Sequence, residues 1–256
     1  MAYTGHCALI TGGGSGMGQL AARRFAAAGT QVALLDVNEE GMAKTAEGHD
    51  TIHSYKVDIT DFEAVKQAVA EVESKQGPID SVYNCAAIMP FGLLTKQDNA
   101  QIHLLMRINF GGLVNITQAA LPAMIERGKG NFVSFGSMAG VIPNMEMGIY
   151  GAGKAAVNFF TEVLYHEHRD SGVAFALVLP PVVGTPLLKQ ARDTVWPKIM
   201  DVAPPLDPNT VLDSIADSLS KQEFLVFPTK QAKLGYRMRR FFPKLMWKNV
   251  HKIEGW

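Results

Sequence analysis

With 256 residues, 27.8 kDa and 47% hydrophobic content, the chain can bury a large core, which excludes a disordered protein and points to one α/β-sized domain. Its 24 Lys and Arg balance 24 Asp and Glu, so it lacks the overall basic footprint of a nucleic-acid-binding protein, and no nucleic-acid partner is expected. The balance hides an asymmetry: Lys230, Lys233, Arg237, Arg239, Arg240, Lys244, Lys248 and Lys252 crowd the end of the chain against one acid, Glu254.

The opening "HCALITGG" enters an apolar strand without the basic region, long apolar run and cleavage site of a signal peptide. No stretch reaches the roughly 18 uninterrupted apolar residues of a spanning helix, so a cytoplasmic location is expected. "CALIT" and "QVALLD" read as buried strands, and "GQLAARRFAAAG" between them has helical spacing with Gly29 as its stop signal. The β-α-β pattern continues through the strand "TIHSYKVDI", a helix opened by Asp61, and the strand "IDSVYNCAA". A long helix from about Gln97 to Ile125, the strand "GNFVSFGS", a helix from the Tyr150 segment to about Ser171, and the strand "AFALVLPP" follow. The strands are continuous apolar runs, as burial on both faces of a parallel sheet requires, and right-handed crossovers then give a doubly wound α/β fold of three layers. Cys7 and Cys85 fall inside these runs, and no disulfide is expected.

Residues 186–209 are Pro-rich and weakly periodic, an excursion above the sheet that reads as a substrate lid. A helix near Pro208 to Gln222 and the strand "FLVFP" complete a single domain over residues 1–229, leaving 230–256 as a basic, amphipathic tail.

"TGGGSGMG" (11–18) follows the first strand and opens the first helix, the context that a dinucleotide site demands. Gly12, Ser15, Gly16, Met17 and Gly18 form its expected cradle: glycine lets backbone approach a pyrophosphate whose charge the helix N-terminus favours. Asp36, at the end of the second strand, can accept hydrogen bonds from the adenosine ribose and would repel a 2′-phosphate. No Arg or Lys in the loop, Val37 or Asn38 offsets that repulsion, so NAD(H) is the expected cofactor. Asp58, with Ile59 beside it, is placed to meet the adenine; its bland alternative is a helix cap, a job Asp61 does better.

The glycine loop, "NCAA" (84–87), Asn109, Ser137, "YGAGK" (150–154) and "PPVVGT" (180–185) occur in the order and spacing of the short-chain dehydrogenase/reductase family, and over residues 4–186 the chain resembles it. The resemblance implies a Rossmann-type fold, nicotinamide hydride transfer, and a catalytic tetrad of Asn109, Ser137, Tyr150 and Lys154, with Tyr150 and Lys154 also meeting the cofactor. It further implies cofactor contacts from Asn84, Ala86, Pro180, Val183 and Thr185, and assembly as a homo-oligomer, dimer or tetramer.

The chemistry gives these residue types a reason. Oxidising an alcohol takes a proton from oxygen as hydride leaves carbon, and reduction returns it. Tyrosine, with an ordinary pKa of about 10, is a poor base near neutrality, so a cation one turn away at Lys154 is expected to lower it. Ser137 would hold the substrate oxygen. Asn109 is expected, as in the family, to hold a water that feeds Lys154. The chain departs from the family at Cys85, at Ala87, which needs a negative φ to admit the cofactor, and at Pro181, which removes a backbone donor. His166 and His168 point to different helical faces with no third ligand, so no metal is expected.

Apolar residues dominate the walls expected at the reacting end. Ser137, Met138, Met145, Tyr150, Leu187 and Trp196 are the expected substrate contacts, beside Met89, Phe91, Ile142, Met147, Ile199 and Met200. A hydrophobic secondary alcohol or ketone, steroid-, terpenoid-, retinoid- or lipid-like, is the substrate this implies. A β-ketoacyl-thioester reductase and a non-catalytic dinucleotide-binding scaffold are the alternatives. The tail fits either an interfacial helix on anionic lipid or a helix packed on its own domain or on a partner subunit.

Overall fold

A computed structural model describes residues 3–256. Seven parallel strands, β1 (Cys7–Thr11), β2 (Gln31–Asp36), β3 (Ile52–Lys56), β4 (Ile79–Asn84), β5 (Gly130–Phe135), β6 (Val173–Val178) and β7 (Leu225–Val226), form one sheet in the order β3-β2-β1-β4-β5-β6-β7. Because successive side chains of a strand point to opposite faces, β1 sends Cys7 and Leu9 into one core and Ala8 and Ile10 into the other. The first core is closed by α3 (Phe62–Gln76), α5 (Gly112–Arg127) and α6 (Gly148–Glu167) through Val69, Ile116 and Val157. The second is closed by α1 (Gly16–Ala27), α2 (Glu39–Ala46) and α8 (Pro208–Ser220) through Phe25, Met42 and Ile215. The doubly wound Rossmann-type sheet expected from the continuous apolar strands is therefore the fold observed.

Local chemistry sets the boundaries. Asp61 accepts from the Ala64 amide at 3.1 Å to start α3, and Gly128, left-handed at φ 67°, ends α5. The long helix expected over 97–125 is divided: α4 (Asn99–Met106) passes through a π turn (Arg107–Gly111) into α5. The whole Asn99–Arg127 stretch has the length and apolarity of a membrane span, yet Leu105, Leu113, Ile116 and Met124 are buried within the domain. The helix begun at Tyr150 stops at Glu167, short of Ser171, and the last strand shrinks to Leu225–Val226.

Strand order reverses at β1, where neighbouring crossovers leave in opposite directions and open a crevice between the C-terminal ends of β1 and β4. Over it lies the 186–209 excursion, folded as α7 (Leu187–Arg192) and a 3₁₀ turn (Lys198–Asp201). The tail forms two helices, α9 (Lys230–Phe241) and α10 (Pro243–Glu254), broken where Pro243 cannot continue the first. Both pack on the domain, α9 through Ala232 and Tyr236 and α10 through Val250 and Glu254.

Candidate active site

The crevice holds two adjoining hollows. The first, about 330 Å³, is floored by the glycine loop and walled by Asp36, Asp58, Ile59 and Ala86. Gly12 has φ +68° and a side chain there would meet the Ala86 backbone at 2.8 Å, so only glycine lets the loop cross the end of β4. A Cβ on Gly18 would collide with the Gly12 carbonyl, which keeps the N-terminus of α1 tight against the loop. Ser15 is the N-cap of α1 but its side chain caps nothing, leaving amide donors at this end for an anion. Asp36 accepts from the Gly14 amide and the Asn38 amide, each at 2.9 Å, which fixes the carboxylate at the rim. Asp58 accepts from the Thr60 amide at 2.9 Å and stays exposed.

The second hollow, about 270 Å³, reaches from there under the lid. Met17, Cys85, Ala87, Thr185 and Leu187 line both. Its lining is mostly apolar, with Ser137, Asn144, Tyr150, Lys154 and Thr185 the polar exceptions. Ala87 has no positive φ, so the family's glycine at this place is not needed for backbone conformation. Pro180, Pro181 and Val183 form one wall, and the Pro180 carbonyl accepts from the Met138 amide at 3.0 Å.

Ser137 ends the turn after β5, where it caps a 3₁₀ turn (Met138–Gly140) by accepting from the Ala139 amide at 3.0 Å. The Ser137 hydroxyl stands near enough to the Tyr150 phenol to favour the phenolate. Tyr150 and Lys154 share one face of α6, with the Lys154 ammonium 6.0 Å from the phenol ring centroid. The Phe91 ring meets the Tyr150 ring edge-on at 5.8 Å. Both α6 side chains are buried, and Lys154 donates to the Phe135 carbonyl at 2.6 Å.

Burial changes the acid-base picture expected from sequence. The Tyr150 phenol is pushed up to about 12 by loss of water, which outweighs the lowering contributed by Ser137, and Lys154 does not bring it down. Lys154 is itself drawn down to about 8, because burial disfavours its charge. The cation that was to activate the phenol is thus weakened by the same dry surroundings, and the phenol is held protonated at neutral pH.

Other expected site residues fall elsewhere. Asn84 lies beneath the floor, buried, its side-chain oxygen accepting from the Thr11 hydroxyl at 2.8 Å, and lines neither hollow. Asn109 is outside both linings: in the π turn it accepts from the Ile88 amide and donates to the Ile88 carbonyl, both at 2.9 Å, tying that helix to the loop after β4. Met145 is outside the lining; Met147 lines it as expected, and so does Asn144, which was not expected. Trp196 is turned aside, its indole N–H donating to Asp201 at 2.9 Å and its ring stacked under Arg192. Met138 and Leu187 line the second hollow as expected. Cys85, read as a buried strand thiol, instead stands at the junction of the hollows, its thiol pushed up by burial. Gln190, one turn after Leu187, also reaches the first hollow; its helical offset from Leu187 was the only signal for it.

The family model described as short chain dehydrogenase matches residues 6–196. The chain belongs to the short-chain dehydrogenase family. Oxidoreductase UcpA of Salmonella typhimurium is 33% identical to this short-chain dehydrogenase over 224 residues, 84% of this chain and 81% of that one. The 17-beta-hydroxysteroid dehydrogenase 13 of Rattus norvegicus is 28% identical across 98% of this chain and 83% of its own. In fold, the protein is similar to a short chain dehydrogenase/reductase from Burkholderia phymatum crystallised in complex with NAD, with a TM-score of 0.85, 23% identity and 96% of each chain covered. Membership makes this short-chain dehydrogenase an oxidoreductase acting on alcohol and carbonyl groups of small molecules.

Proposed function

We propose that the protein transfers hydride between NAD(H) and a hydrophobic secondary alcohol or ketone. The observation that carries the reading is the second hollow: an apolar chamber with no acid or Arg in its lining, opening onto the Tyr150 phenol and the Ser137 hydroxyl. Burying an apolar substrate there requires no compensation of its charge, whereas a sugar acid or phosphate would find no partner but the buried Lys154.

The first hollow fits a nicotinamide dinucleotide. Its glycine cradle leaves no room for a Cβ, the N-terminus of α1 offers free amides, and Asp36 stands where an adenosine ribose would reach it. The preference for NAD over NADP rests on the cations nearby. Lys56, paired in register with Asp36, reaches Glu39 at 2.7 Å, and Lys44 reaches Glu40 at 2.6 Å, so neither is held for a 2′-phosphate. When bound, the cofactor supplies or accepts the hydride at the substrate carbon.

The chain's own residues handle the oxygen. Ser137 donates to the substrate oxygen and orients it toward the phenol. In reduction, Tyr150 gives its proton to that oxygen as the carbon gains hydride; in oxidation, the phenolate takes the hydroxyl proton back. Below about pH 8 Lys154 holds a positive charge one helical turn from the phenol. Asn109 acts at a distance, fixing the Ile88 backbone. Since the resting phenol is held protonated, the reductive direction runs at neutral pH, while oxidation should quicken as pH rises toward the phenol's range.

The test is a screen of hydrophobic alcohols with NAD+, and of their ketones with NADH, against wild type and Tyr150→Phe. Turnover in the wild type and a loss of roughly 10²- to 10⁴-fold in the variant, with cofactor affinity retained, is the expected result. Turnover restricted to sugars or hydroxy acids would overturn the substrate class, and an unimpaired variant would overturn the mechanism.

A further inference from the structure

The amphipathic tail has two faces of opposite character. Around α9, Ala232, Gly235 and Tyr236 fall on one side: Ala232 packs with Leu177 and Leu179, a side chain at Gly235 would lie 3.1 Å from Ile142, and the Tyr236 ring meets Phe227. The helical period puts Lys230, Leu234, Arg237 and Phe241 on the opposite side, and all four are exposed. At the corner, Phe242 and Leu245 continue the apolar strip, and Lys244, Lys248 and Lys252 recur every fourth residue along the outer side of α10. Leu234 is 60% exposed, Phe241 68% and Phe242 54%, a concentration of open aromatic and aliphatic surface unlike the scattered apolar residues of an ordinary surface.

Among the described residues, no acid pairs with any of the tail's eight Lys and Arg. The one acid of the tail, Glu254, is turned inward, accepting from the Lys198 and Ile199 amides at 3.0 and 2.9 Å. The outer face therefore carries cations and large apolar side chains and no counter-charge of its own. The remainder of the chain holds 16 Lys and Arg against 23 Asp and Glu, which makes the tail a cationic pole on an acidic body.

We infer that the outer face of α9 and α10 docks on an anionic lipid bilayer. Charge complementarity selects this occupant. A second copy meeting the same face by two-fold symmetry would bring like charges together, while exposed Phe and Leu between the cations have no use on a phosphate backbone. Phe241, Phe242, Leu234 and Leu245 enter the interface, and the surrounding Lys and Arg lie at headgroup level, as an interfacial helix of this composition does. The inner face of the same two helices touches Met138 and Ile142 on one wall of the second hollow and the Lys198–Ile199 backbone of its lid. Docking thus sets the mouth of the proposed hydrophobic-substrate chamber close to the lipid, and this last step alone rests on the proposed reaction.

Flotation of the full-length protein with vesicles tests the docking without reference to turnover. Wild type is expected to float with phosphatidylcholine–phosphatidylserine vesicles, to stay behind with phosphatidylcholine alone, and to be released by raised salt. The variant Arg237→Glu/Lys244→Glu/Lys248→Glu is expected to lose affinity for the anionic vesicles by at least roughly 100-fold, and Phe241→Ser/Phe242→Ser to bind them more weakly than wild type even at low salt. Melting curves and NADH binding matching wild type show that these surface variants are folded. Failure of wild type to float, equal flotation on neutral vesicles, or variants that float like wild type would each overturn the inference. A sedimentation shift to a smaller assembly in the variants, without vesicle binding by wild type, would overturn it in favour of an interface between copies. Loss of docking with intact turnover would leave the proposed reaction standing, and docking without turnover would leave this inference standing.

Discussion

Replacing Lys154 by methionine isolates the cost of keeping an ammonium in the dry centre of the site. The ordinary lysine value of 10.5 falls to about 8 in the folded protein, chiefly through burial. A depressed lysine pKa means that the folded state sheds its proton before the unfolded chain does. Below pH 8 both states are charged and the fold bears the full penalty; between 8 and 10.5 the penalty fades, so wild-type stability gains with rising pH in that window. At 1.36 kcal/mol per pH unit the penalty at pH 7 is about 3 kcal/mol, and most of it disappears by pH 10. The bond from Lys154 to the Phe135 carbonyl is lost in the variant at every pH, so it offsets the difference between the proteins without tilting it. The Tyr150 phenol, raised to about 12, titrates first in the unfolded chain and lowers stability above pH 10, but it does so in both proteins. Urea unfolding of cofactor-free wild type and Lys154→Met, at intervals from pH 7 to 10, should show the difference moving by about 2–3 kcal/mol in favour of wild type. Parallel stability curves would refute the buried-charge account of Lys154.

Two other substitutions probe the first hollow and its support. Asp36→Ser removes the carboxylate from the ribose edge and should raise the ratio of kcat/KM with NADP to that with NAD by roughly 10- to 100-fold, the size of a lost charged hydrogen bond; an unchanged ratio in initial-rate assays would count against the assignment. Asn109→Leu leaves the Ile88 amide and carbonyl without their 2.9 Å partners and should cost about 2–4 kcal/mol, read as a fall in Tm of roughly 5–10 °C. A Tm within a degree or two of wild type would show that water replaces the amide.

The sheet was legible because both of its faces are buried, so the strands had to be apolar throughout, and because Gly29, with its positive φ, follows the first helix as a stop signal. The glycine cradle was legible for a related reason: Gly12 and Gly18 are demanded by backbone approach, which no other residue satisfies. What escaped the sequence was determined by rotations and dielectric rather than residue type. Residue type alone could not say that Met145 stays outside the lining that Met147 joins, or that Trp196 spends its N–H on Asp201. The i,i+4 spacing of Tyr150 and Lys154 showed proximity, but not that burial would raise the phenol and weaken the cation together. The π turn at Arg107–Gly111 has no periodic signature, and it is what places Asn109 against Ile88.

The carboxylate of Glu254 ties the last turn of α10 to the 186–209 excursion, across 55 and 56 residues of chain. The Rossmann sheet is complete at β7, but the roof over the second hollow is fastened by a residue that lies beyond that strand. Cleavage between β7 and α10 would therefore leave a finished sheet beneath an unfastened roof.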